Sequence, residues 1–253
     1  MKSLAQVFQP LAVTVAVQAA CVAAGVLFLC WGLGAPHGTE GAFAAACIGL
    51  FWAGLLGPFV YTRVHKDAFW APPVRGALRC ALLGLTAASV CAVYAALTRG
   101  PIGAAFVAGL FCGFYAWSAG ALGDLLAFFV PPRLASSGAA ALAIVLLGTL
   151  MYWDALFLPA PERGGPARNA SAATALQLNA AAAVSVTLDY DWLHASVLYR
   201  NNETAESMAG VRRGGVGGFV LRSGLVALGA VLVAGLLHPL RRRKGIRWNT
   251  QRS

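Results

Sequence analysis

Pro159-Ala-Pro-Glu-Arg-Gly-Gly-Pro166 and Leu188-Asp-Tyr-Asp-Trp-Leu-His-Ala-Ser-Val-Leu-Tyr-Arg200 belong to the one long stretch, residues 159–215, that is not composed for lipid. The first run is a breaker-rich linker. The second packs carboxylates, aromatics and a histidine into thirteen residues. Five long apolar runs precede the stretch and one follows it: Leu11–Gly34, Ala42–Tyr61, Gly76–Leu97, Ile102–Val130, Ala135–Leu158 and Val216–Leu240. Backbone groups in hydrocarbon must be satisfied within the segment, and runs this long without strict alternation satisfy them as helices, not barrel strands. The expected fold is all-α: a polytopic integral membrane protein with six transmembrane helices and a helical extracytoplasmic insertion between helices five and six. Three parts follow: residues 1–158 with five spans, 159–215 as the insertion, and 216–253 with the sixth span and a basic tail.

Composition agrees. The chain has 253 residues, of which 59% are hydrophobic and 11% charged, against roughly 25% charged in a soluble domain. Lipid-facing surface accounts for the deficit. The net charge of +10 does not point to nucleic acid, because the basic residues flank apolar runs, where they orient spans in a membrane. The six cysteines all lie inside apolar runs and form no C-x-x-C pair. They are read as small packing residues, not disulfide or zinc partners.

Orientation follows from Lys and Arg beside the spans. One side receives Lys2, Arg63, Lys66, Arg75, Arg79, Arg133 and the Arg241–Arg247 tail; the other receives Arg99 and the long stretch. Both termini are therefore expected in the cytoplasm, with residues 159–215 outside, in a bacterial inner membrane.

Within the insertion, Ala170–Ala183 favours helix. Val184–Trp192 alternates apolar and polar, a strand period, yet a lone strand at a membrane edge has no pairing partner. Helix–turn–helix is expected, with Asp189 or Asp191 as N-cap of a second helix through Tyr199. Asn169-Ala-Ser171 and Asn202-Glu-Thr204 are glycosylation sequons in form.

No catalytic signature is present. The chain's lysines are Lys2, Lys66 and Lys244, so no P-loop exists, and neither H-E-x-x-H nor G-x-S-x-G occurs. The chain is not expected to be an enzyme or to carry a cofactor, although His37 and His194 share the outer side. Asp154 and Arg222, near the outer ends of the fifth and sixth spans, are candidate partners. A structural pair, a substrate path and snorkelling to the interface are the three readings. Asp124 and Arg79 stand at similar depth on the inner side. Gly109-Leu-Phe-Cys-Gly113 has the spacing of a close helix contact.

The layout resembles the permease subunits of type-2 ABC transporters. The residues carrying the likeness are Leu178-Asn179, followed by Ala180 where that family has Pro; Asp191-Trp-Leu-His194, with His in place of the usual Arg; and Leu198-Tyr199. The basic turn Arg63–Arg75 stands where such permeases carry a cytoplasmic coupling element. The resemblance implies a membrane-spanning subunit of an ATP-driven transporter, working as a homodimer or hetero-oligomer with a separate ATPase. Arg63, Lys66, Phe69, Trp70 and Arg75 would then dock the ATPase, the two aromatics as anchors or as headgroup-level residues. A non-transporting accessory or scaffold subunit of a membrane complex is the alternative.

Overall fold

The computed structural model describes residues 37–61, 71–148, 179–190 and 216–243, with isolated helical positions between 16 and 28. Every element among them is an α-helix: α1 Gly38–Tyr61, α2 Ala71–Leu97, α3 Ile102–Leu126, α4 Pro132–Gly148, α5 Ala180–Leu188 and α6 Val216–Arg243. Four are long and apolar enough to cross a membrane, within Gly38–Tyr61, Gly76–Leu97, Ile102–Leu126 and Phe219–Leu237; Pro132–Gly148 is a shorter apolar helix. The chain is thus a helical membrane protein. The first expected span and the far half of the fifth fall largely outside the described residues.

The helices differ from the expected spans mainly at prolines. Pro72 and Pro73, read as part of the basic turn, lie in the first turn of α2, and Pro132 opens α4 rather than ending the span before it. The first turn of a helix has no intrahelical partner for its N–H groups, so proline loses nothing there. Pro239 stands next to the end of the last apolar run, Val216–Leu240, yet α6 runs through it to Arg243. One missing N–H four residues after Gly235 does not stop a helix of this length.

Helix α3 is the hub, packing against all five other helices, while α1 packs against α2, α4 and α5 as well. The close contacts are made by small residues. A Cβ on Gly84 would stand 2.7 Å from the Gly113 Cα, and one on Gly57 would stand 2.7 Å from the Ala116 carbonyl oxygen. Gly109 lies against the Ala88 backbone just as closely. The Gly109–Gly113 spacing therefore marks the α2–α3 contact. Helices without a hydrophobic drive between them gain most from this close packing.

Hydroxyls on the helices turn back onto their own backbone: Thr86 donates to the Leu82 carbonyl, Ser89 to Leu85 and Ser118 to Tyr115, each at 2.9 Å. That satisfaction lets them sit among apolar neighbours. Tyr115 reaches further and donates its buried hydroxyl to the Ala143 carbonyl of α4. At the other side of the hub, α1 starts where α2 ends, with the Gly38 amide donating to the Thr98 carbonyl at 3.0 Å.

Candidate functional sites at the two ends of the bundle

At the Tyr61 end, three helices close on one aromatic ring. Tyr61 is the last residue of α1 and is buried. A Cβ on Gly76 of α2 would come within 2.5 Å of its ring, and one on Gly120 of α3 within 2.6 Å of its Cβ. The two glycines form the slot that admits the side chain. Tyr61's hydroxyl is buried and has no hydrogen-bond partner among the described residues. Arg79, one turn beyond Gly76, donates through Nη1 to the Val60 carbonyl at 3.2 Å. This places a cation on the C-terminal turn of α1, where the helix dipole favours it. Asp124, in the last turn of α3, lies within electrostatic range of Tyr61. Arg79 and Asp124, named as candidate partners, thus lie on the two helices that close on Tyr61, a residue that sequence reasoning passed over as the end of a span.

Arg75 lies in the first part of α2 rather than in a loop. Arg63, Lys66, Phe69 and Trp70 lie outside the described residues. So does Asp154, and with it the proposed pairing to Arg222. Arg222 is half-buried on α6, one turn after Phe219.

At the Gly38 end the closing element is α5. Asn179 is its N-cap, with its side-chain oxygen accepting from the Ala181 and Ala182 amides at 2.8 and 3.4 Å. Its side-chain nitrogen donates to the carbonyls of Leu146 and Leu147, at 3.2 and 2.9 Å. Both carbonyls belong to the last described turn of α4. One buried amide thus satisfies the start of one helix and the end of another, which needs both a donor and an acceptor. Asp would cap α5 but, ionised, has no hydrogen to donate to α4. Ser185 and Thr187 donate to the Ala182 and Ala183 carbonyls at 2.8 and 2.9 Å.

Helix α5 ends at Asp189, in the left-handed region with φ 50° and ψ 40°. The Tyr190 amide donates back to the Ser185 carbonyl at 2.9 Å. That geometry terminates a helix, so Asp189 is not the N-cap of a following one; Asp191 and the second helix lie outside the described residues. Tyr190 packs on Phe43 of α1 with ring centroids 5.0 Å apart. The strand period over Val184–Leu188 is overridden by burial on all sides. Asn179 was legible as an N-cap: it is Asn directly before a run of alanines.

Among the described residues no group of three His, Cys, Asp or Glu side chains could hold a metal ion. Cys80, Cys91 and Cys112 are fully buried free thiols in the core. An open apolar cavity of about 470 Å³ between Gly25, Phe28 and the Cys47–Trp52 face of α1 carries no polar group suited to chemistry.

Compared with protein-family models, with curated proteins and with solved structures, the chain finds no match.

Proposed function

We propose that this chain is the membrane-spanning subunit of an ATP-driven transporter of the ABC type, with six spans, both termini cytoplasmic, in a bacterial inner membrane. It would act as a homodimer or hetero-oligomer with a separate ATPase. The observation that carries the reading is the place of α5, a short helix between the last two long helices that turns into one end of the bundle. That matches the helical insertion implied by the resemblance. The chain has no P-loop, so a partner must supply the driving force. The basic stretch from Arg63 to Arg75, which runs in sequence from the end of α1 into the start of α2, is the natural seat for that partner. Phe69 and Trp70 would anchor it. The described core is mostly Ala with larger apolar side chains among them, which favours an apolar or amphipathic cargo that travels between protomers.

The test is purification of the tagged chain from native membranes, followed by measurement of ATP hydrolysis. A P-loop ATPase should co-purify with the wild-type chain and be lost when Phe69 and Trp70 are both replaced by Ala. A wild-type chain that never brings down an ATPase would hand the case to the accessory or scaffold reading.

A further inference from the structure

The turn between α3 and α4 leaves no backbone N–H unused from Ala127 to Pro132. The amides of Ala127 and Phe128 donate to the carbonyls of Gly123 and Leu125, at 3.0 and 3.1 Å. Those of Phe129 and Val130 both donate to the Leu126 carbonyl, at 2.9 and 3.1 Å. Pro131 and Pro132 have no N–H to satisfy. On the far side the Ala135 amide closes the first turn of α4 on the Pro131 carbonyl at 2.9 Å. A turn in water can leave amides to the solvent, whereas one that enters an apolar layer must satisfy them itself.

The side chains on this turn are apolar and outward. Phe129 is 69% exposed and Leu134 64%, with Val130 exposed between them. Arg133 is exposed beside Leu134. These residues are not on the face of a span, because α3 ends at Leu126 and α4 starts at Pro132. Depth follows from length. α3 has 25 residues, or about 37 Å at 1.5 Å per residue. The hydrocarbon core of a bilayer is about 30 Å thick, and roughly 40–45 Å with its headgroup layers. The turn that follows α3 therefore falls among headgroups, on the Tyr61 side of the bundle.

We propose that the α3–α4 turn is a lipid-binding surface: Phe129 and Leu134 enter the boundary between headgroups and acyl chains, and Arg133 holds the phosphate of an anionic phospholipid there. An aromatic ring with an arginine beside it suits that layer, the ring in the apolar part and the guanidinium at the charged one. Four side chains are too few for a stable protein interface, which takes roughly 20–30 residues from each side. This goes beyond the transporter reading and needs only that the chain spans a membrane.

The experiment uses the full chain in nanodiscs of phosphatidylcholine and phosphatidylglycerol, with an environment-sensitive fluorescent amino acid in place of Phe129 or, in a second variant, of Leu134. The quenchers are a lipid with a nitroxide high on its acyl chain, and iodide in the water. At both positions the nitroxide lipid should quench strongly and iodide weakly. Stronger quenching by iodide would place the turn in water, and quenching by neither would mean that protein covers it; either result overturns the proposal. The phosphate contact is read in detergent by titrating phosphatidylglycerol against the same reporter. Arg133→Gln should weaken binding by about fivefold, the share of one basic residue at an anionic surface, and Arg133→Lys should restore most of it. Arg99→Gln, at the exposed arginine of the opposite end, should change nothing. Unaltered binding by Arg133→Gln would refute the contact. Glycerol phosphate, which has the same anion without acyl chains, should leave the reporter unmoved. A response to it equal to that for the lipid would mean a soluble phosphate site and no lipid surface.

Discussion

Helices α5 and α6 invert what their sequences suggest. α6 is a long apolar span, yet only 22% of its membrane-length window is buried inside the bundle, against 56% for α1. α5 is nine residues from a stretch that reads as an extramembrane insertion, yet it is buried nearly all round. Much of the difference is side-chain size. α6 displays Leu221, Leu225, Val226, Leu228, Leu232, Val233 and Leu236, while four of the seven buried residues of α5 are alanines, beside Val184, Leu188 and the back-bonded Ser185. In water, large apolar residues go inside. In a bilayer the surroundings are as apolar as leucine, so large residues gain little by leaving them and small ones let backbones approach. The buried set of the whole bundle, dominated by Ala with Gly and Cys, follows the same rule.

Enlarging a small interior residue should therefore do far more harm than shrinking a large peripheral one. The largest effect is expected at the α2–α3 contact. Gly109→Leu would drive a side chain into the Ala88 backbone, which cannot move aside as a flexible side chain could. A loss of about 3 kcal/mol or more is expected, the upper end of overpacking costs. Thermal unfolding in detergent should show a sharply lowered midpoint or no folded protein. Near-parental stability would mean that α2 and α3 are not in this contact.

The next effect is in α5 itself. Ala183→Leu adds bulk to a helix enclosed by α1, α3 and α6, and about 1–3 kcal/mol should be lost. A nine-residue helix shifts more readily than the hub helix α3, so the cost falls below that at Gly109. If the larger side chain were neutral, α5 would lie on the surface rather than within it. The same melting experiment reads both changes.

Tyr61 is one of the large residues inside the bundle, and Gly76 and Gly120 are what make room for it. Its hydroxyl gains no partner among the described residues. A buried donor left unmatched costs about 1–3 kcal/mol, so Tyr61→Phe should be neutral or stabilising by roughly 1 kcal/mol. A clear loss of stability would show that the hydroxyl is bonded after all, from the turn that follows it.

Much of this arrangement was legible. The apolar runs located α1, α2, α3 and α6 because length and composition alone define a span, and Gly109–Gly113 announced a close contact. Proline is ambiguous at residues 72, 73, 132 and 239, since the same residue opens a helix, ends one or is carried through one according to its neighbours. The depth of α5 was not legible. Four alanines and a Val-Ser-Val-Thr run have no strong preference of their own, and only the company of three other helices buries them. The Tyr61 slot depends on glycines from two other helices, so no local pattern around Tyr61 could reveal it.

The smallest expected effect is on α6. Leu225 is 59% exposed and projects from the side of α6 away from the hub. Replacing it with Ala removes methyl groups that meet lipid in the folded bundle and would still meet lipid after the helices separate. The transfer term that makes Leu→Ala so costly in a soluble core, about 2–5 kcal/mol, cancels between those two states. Helix propensity slightly favours Ala. Leu225→Ala should therefore shift stability by no more than about 0.5 kcal/mol, as for surface positions generally. Repeating the measurement at Leu232 and Leu236 maps the whole face. A loss above that level at all three would mean that something other than lipid covers α6, and its low burial would then describe one chain apart from its assembly.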